Sequence, residues 1–90
     1  MEPDRIYIKA MNKWGKPMQT VICMEECAEL IQELSKKIRY PERNVDNLID
    51  EISDVELCLD SIKIMYGVSK VELNRQKELK LSRLSDRLEE

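Results

Sequence analysis

The feature that most constrains this chain is the scarcity and placement of its helix breakers. Ninety residues hold two glycines and three prolines, and apolar residues recur every three or four positions between them. Gly15 with Pro17, Tyr40-Pro41, and Gly67 act as punctuation, because glycine ends helices and proline is tolerated only in a first turn. They divide the chain into four helical segments. The first runs from about Pro3 to Trp14, with Gly15 as its C-terminal cap. The second, about Pro17 to Arg39, places Met18, Val21, Ile22, Ala28, Ile31, Leu34 and Ile38 at helical spacing. The third runs from about Asn44 or Val45 to Tyr66, with Leu48, Ile52, Val55, Leu59 and Ile62 in a four-three-four-three repeat. The fourth opens at Ser69, where Ser69-x-x-Glu72 is a capping box, and carries Leu81, Leu84 and Leu88 on one side.

The expected fold is therefore all-α, one domain over residues 1–90, a small antiparallel bundle of about four helices. The second half of the third segment adds Leu57, Cys58, Ile64 and Met65 to its apolar seam. A helix apolar around most of its circumference needs more neighbours than three others in a short chain supply. Oligomerisation is expected to complete the bundle, as a homodimer or a homotetramer built as a dimer of dimers.

A formal charge of −3 argues against binding a nucleic acid polymer, which needs a basic stripe. The charged N-terminus leaves no room for a signal peptide, and no run approaches the length of a membrane span, so the chain reads as cytoplasmic with no membrane partner. Cys23, Cys27 and Cys58 lie within apolar helical stretches and read as small hydrophobes. Without any histidine, and with spacing unlike zinc motifs, they make a poor zinc site. Cys23, Met24 and Cys27 together read as core filler.

Acidic residues are the chemically informative part. Glu26-x-x-Glu29 and Glu51-x-x-Asp54 each put two carboxylates on one helical face, separated by 21 residues. An ordinary solvated helix face carries Glu-to-Lys pairs four apart. Here Glu25 is followed at that spacing by Glu29, Glu29 by Glu33, Asp46 by Asp50, and Asp50 by Asp54; only Glu33, with Lys37 beyond it, has the expected partner. Stacked like charges destabilise a helix unless a cation neutralises them. Oxygen-only ligands point to a hard ion, Mg²⁺ with Mn²⁺ as substitute, a chemistry suited to phosphates.

These residues resemble the all-α nucleoside triphosphate pyrophosphohydrolases, the MazG-like group, whose superfamily also holds dimeric dUTPases and phosphoribosyl-ATP pyrophosphatases. The resemblance rests on Trp14-Gly15-Lys16 with Gln19, on Glu25-Glu26-Cys27-Ala28-Glu29-Leu30 running to Lys36, and on Asp50-Glu51-Ile52-Ser53-Asp54-Val55. The closing Lys80-Leu81-Ser82-Arg83-Leu84 with Arg87 fits the family's basic last helix, and the match spans roughly residues 12 to 88. It implies that Glu26, Glu29, Glu51 and Asp54 bind Mg²⁺. It also implies a nucleoside triphosphate substrate, cleaved between the α and β phosphates to a monophosphate and pyrophosphate.

In such a reaction one carboxylate at the edge of the cluster accepts a proton from the attacking water, and Glu25 or Glu29 is positioned to do so. Lys77, Lys80 and Arg83 on the fourth segment, with Arg87 beyond them, face a common side and can meet the triphosphate. Trp14 and Tyr7 can stack on a base, although Trp14 reads first as the anchor of the first helix, a large aromatic suited to that in a chain without phenylalanine. Gln19 can hydrogen-bond a base or sugar. Two other readings stand beside this one: a non-catalytic helical oligomer that binds a nucleotide or a protein, and a specialised enzyme acting on a deoxyuridine nucleotide or phosphoribosyl-ATP.

Overall fold

A computed structural model describes all 90 residues, and it is all-helical with no strand. Helix α1 spans Pro3–Trp14, α2 Lys16–Arg39, α3 Asp46–Met65 and α4 Lys70–Leu88. These match the four segments read from the breakers to within a residue or two.

Each junction has a local cause. Gly15 alone separates α1 from α2, at φ 88° and ψ 153°, a backbone conformation essentially restricted to glycine. Its N–H bonds back to the Met11 carbonyl at 2.8 Å while its own carbonyl accepts from Gln19 N at 3.1 Å, so one residue closes one helix and opens the next. The α2–α3 turn is tied internally. Lys37 Nζ donates to the Pro41 carbonyl at 2.8 Å and also to that of Arg43, and Asn44 Oδ1 accepts from Asp46 N at 3.1 Å. At the end of α3, Val68 N bonds to the Lys63 carbonyl and Gly67 N to that of Ile64, with Gly67 left-handed at φ 63°. This is the Schellman stop that a glycine after a helix provides. Helix α4 then begins with Ser69 Oγ accepting from Glu72 N at 3.3 Å, half of the expected capping box.

Helices α2 and α3 form an antiparallel hairpin, and α1 packs across both. Thr20 and Tyr66 hydroxyls, 2.6 Å apart, join the start of α2 to the end of α3. Helix α4 departs from the four-helix expectation: no Cα of α4 lies within 8 Å of any Cα in the other three. It stands off the bundle, and only its first two turns border a cleft with α1 and the end of α3.

The interior is correspondingly small. Cys23, Val55, Ser61 and Met65 are the only buried residues. The α2 seam read from periodicity is largely uncovered, with Met18, Val21, Ile31 and Leu34 exposed and Ile38 at 83%. Met24 is also exposed, so of the three residues read as core filler Cys23 is buried, Cys27 half-buried and Met24 surface. Trp14 is 54% exposed and does not anchor α1 by burial; Lys13 Nζ sits 5.1 Å from its ring centroid. The radius of gyration, 16.3 Å, exceeds the roughly 12 Å of a compact 90-residue domain. No helix is long and apolar enough to cross a membrane.

Candidate metal centre

The α2–α3 hairpin sets the two acidic pairs opposite one another. On α2, Glu26 is half-buried against α3; on α3, Glu51 and Asp54 are half-buried against α2. One carboxylate oxygen from each of Glu26, Glu51 and Asp54 lies within 4.8 Å of the other two. Asp54 and Glu29 are the nearest charges acting on Glu26 and Glu51, and Glu29 is the exposed member of the group.

The electrostatics of this group are unresolved by the protein itself. Burial pushes the Glu26 carboxyl above its ordinary pKa range, and the charges of Glu29, Asp54 and Glu51 push it further. Glu51 is raised in the same way, by burial first and then by Glu29, Asp54 and Asp50. Glu26 Oε2 and Glu51 Oε2 are both buried without a hydrogen-bond partner. The two ion pairs in the chain are Lys36–Glu33 at 3.1 Å and Lys63–Asp60 at 3.3 Å, and neither touches the cluster. Glu33 thus pairs with Lys36, not with Lys37 as the four-residue spacing suggests, because Lys37 is turned toward the carbonyls of the α2–α3 loop.

A divalent hard cation fits this donor set. Mg²⁺ binds oxygen at about 2.0–2.1 Å, which holds two ligands no more than about 4.2 Å apart. Among three oxygens on one octahedral ion at most one pair is trans and the others stand about 3 Å apart, so a group spaced within 4.8 Å closes on an ion by side-chain movements on the order of 1–2 Å. Buried orphan oxygens converging from two helices are what such an ion satisfies. The cysteines do not form a rival site. Cys23 neighbours Cys27 and Cys58, but the three do not converge with metal-ligand spacing, and burial pushes the Cys58 thiol up to about 11.

Other residues singled out in the sequence fall elsewhere. Glu25 borders a shallow apolar groove with Trp14, Pro17, Met18, Val21 and Ile22, away from the carboxylate group. Gln19 is half-buried in the first turn of α2. Lys77 lines the cleft between α1, α3 and α4 with Tyr7 and Asp60, and Lys80 and Arg83 lie further out on the projecting helix. Tyr7 is half-buried there, its phenol pKa raised by burial and by Asp60 and Asp4.

Sequence reasoning passed over a nearer set. A cleft of about 460 Å³ at the α2–α3 turn is lined by Glu33, Lys36, Arg43, Asn44 and Asn47, among others. Lys36 lies seven residues after Glu29, and Asn47 four before Glu51, so each shares the side of its helix that carries the cluster. That spacing is visible in the sequence once the carboxylates are taken as the reference. No known protein family, curated protein or solved structure matches the chain.

Proposed function

We propose that this protein is an Mg²⁺-dependent nucleoside triphosphate pyrophosphohydrolase, releasing pyrophosphate and a nucleoside monophosphate. The observation that carries the reading is the convergence of Glu26, Glu51 and Asp54 across two helices, with two buried oxygens unpartnered and no lysine or arginine paired to them. Acidic surface faces do not bury carboxylates against each other without compensation.

Glu26, Glu51 and Asp54, with Glu29 at the rim, would hold the ion. Mg²⁺ supplies the positive charge that a polyphosphate and its attacking water require. Glu29, the exposed member, accepts the proton from that water; Glu25 points into a different groove and is the weaker of the two acceptors. Lys36 and Asn47, on the cluster's own side, bind phosphate oxygens; Lys77, Lys80 and Arg83 lie on α4, which has no Cα within 8 Å of the other helices, and are the second choice for that role.

The reading includes assembly into a homodimer or homotetramer, which the exposed apolar surface supports. That same surface favours the second reading, a helical oligomer that binds a nucleotide or protein without turnover. Pyrophosphate release from a panel of canonical and modified nucleoside triphosphates separates the two. Release with Mg²⁺ or Mn²⁺ that EDTA abolishes is expected. A folded, oligomeric sample that releases none from any triphosphate overturns the enzymatic reading.

A further inference from the structure

The cleft of about 640 Å³ between α1, the end of α3 and the base of α4 has walls of opposite charge. Asp4 of α1 and Asp60 of α3 border it on one side, Lys70 and Lys77 of α4 on the other. Each of the two longer walls also carries an apolar residue, Ile64 on α3 and Leu73 on α4. Asp60 holds Lys63 at 3.3 Å through one oxygen, and its second oxygen is uncommitted.

Helical spacing carries both walls beyond the cleft. On α4 the lining positions Lys70, Leu73 and Lys77 fall three and four apart, and the same steps lead on to Leu81, Leu84 and Leu88, all exposed. On α3, steps back from Asp60 lead to Leu57, Ser53 and Ile49, with Leu57 and Ile49 each 56% exposed. With Lys77 set opposite Asp60 in two antiparallel helices, Leu81 falls level with Leu57, Leu84 with Ser53 and Leu88 with Ile49. The charges at the cleft and the apolar residues beyond it therefore agree on one register. Net charge agrees too: α4 carries six basic residues against three acidic ones, and α3 six acidic against one lysine.

The joint between the helices permits such a contact. Only the four residues from Tyr66 to Ser69 connect α3 to α4, a length that ordinarily leaves two helices as antiparallel neighbours. Nothing beyond its chain neighbours lies within 4 Å of where Gly67 would carry a Cβ, and Val68 and Ser69 belong to no helix. A helix of 19 residues without tertiary support is marginal in water, so α4 gains from burying its leucine side.

We propose that α4 closes onto α3 of its own chain about the Gly67–Ser69 joint, with Lys77 against Asp60 and the leucine side over Leu57, Ser53 and Ile49. The open chain described above then has a closed four-helix counterpart. Burial of the leucines drives the closure. The charges set its register, since exposed ion pairs by themselves contribute little. Lys80 comes beside Glu56 on the flank of the seam, a pairing the open form lacks. The closure rests on none of the chemistry proposed above.

Carbodiimide coupling, which joins a lysine amine to a carboxylate in contact with it, tests this. Light chains and heavy-isotope chains are unfolded together in urea, refolded and coupled, and the joined peptides are weighed. Lys77–Asp60 and Lys80–Glu56 links are expected, each wholly light or wholly heavy because both ends belong to one chain. The Lys36–Glu33 pair, at 3.1 Å, is the internal control for coupling. A chain carrying Leu81→Asp and Leu84→Asp sets acid against acid along the seam. It is expected to lose the Lys80–Glu56 link and keep the Lys36–Glu33 one, with circular dichroism reporting its helix content. Links that join light to heavy place α4 on a second copy and overturn the proposal. Absence of both links while the control forms, or a Lys80–Glu56 link undiminished in the variant, overturns it as well. Should the variant lose its helices altogether, the wild-type links decide the matter on their own.

Discussion

Glu26 on α2 and Glu51 on α3 face each other across the helix hairpin, each with one carboxylate oxygen buried and unpartnered, within 4.8 Å of a shared neighbour, Asp54. Two like charges on adjacent, half-buried faces oppose the packing of the hairpin that holds them. The hairpin is also the largest contact in the fold, so the repulsion sits where the chain has most to lose.

The first prediction is a pH dependence with a definite sign. Both glutamates have folded-state pKa values above their unfolded ones, so the native state binds more protons than the unfolded chain. Their contribution to stability is fully present below the unfolded value and lost as pH rises through the folded one. The metal-free protein is therefore expected to melt at a lower temperature at pH 7 than near pH 5. Millimolar Mg²⁺ should reverse the difference at pH 7 and have little effect at pH 5. Thermal melts with and without EDTA at the two pH values check this.

Replacing Glu26 with Gln removes one of the opposed charges. The metal-free variant is expected to melt a few degrees above the wild type at pH 7 and to lose most of its Mg²⁺ response. A lower melting temperature, with the Mg²⁺ response retained, would contradict the placement of Glu26 in the cluster.

Glu29 is expected to matter to chemistry more than to folding, since it sits at the solvent rim. Glu29→Gln should leave the melting temperature within a few degrees of the wild type and reduce pyrophosphate release on the order of a hundredfold or more, the usual scale for a lost proton acceptor. Lys36→Ala should act differently, raising KM for the triphosphate with a smaller change in kcat. Steady-state kinetics on the two variants distinguishes the roles.

Ser61 and Met65 lie one turn apart at the end of α3, both buried, and should respond in opposite directions. Met65 is the most buried side chain, at 4% exposure, and Met65→Ala is expected to cost about 2–4 kcal/mol through the cavity it leaves. Ser61 Oγ is buried with no hydrogen-bond partner. Ser61→Ala should be neutral or stabilise by up to about 1 kcal/mol, as a desolvated hydroxyl is removed and a better helix former installed. Urea denaturation measures both.

Cys58 should be a slow thiol. Burial is the main cause of its elevation to about 11, with Cys23, Glu26 and Asp54 adding to it. Since the thiolate is the reactive form, alkylation at pH 8 is expected to run on the order of a hundredfold slower than for an ordinary cysteine in the unfolded chain. Peptide mass mapping after timed iodoacetamide treatment reads this directly.

The helices themselves were legible because they depend on local rules. Gly15, Gly67, Pro17 and the Ser69–Glu72 cap act within a turn of their own positions, and the chain obeys them to within a residue or two. The carboxylate pairs were legible for a related reason. Three-residue spacing puts Glu26 with Glu29 and Glu51 with Asp54 on common faces whatever the helices later pack against.

The side of each helix that meets a neighbour was not legible from periodicity. The α2 repeat of Met18, Val21, Ile31, Leu34 and Ile38 reads as a core seam, yet those residues are exposed, because α2 turns Glu26 and Cys23 toward α3 instead. Nor did spacing show that Lys36 would take Glu33 while Lys37 tied the following loop, since that choice depends on where the turn carries the carbonyls of Pro41 and Arg43.

By itself, then, the sequence determined four helices, their ends and two acidic faces, all products of interactions within a few residues along the chain. Only the tertiary structure decided that three of those carboxylates converge, that Glu25 turns away from them, and that α4 leaves its own bundle. Those outcomes depend on the angle at which α2 meets α3 and on the direction set at Gly67. Both are properties of contacts between distant segments, which no local pattern encodes.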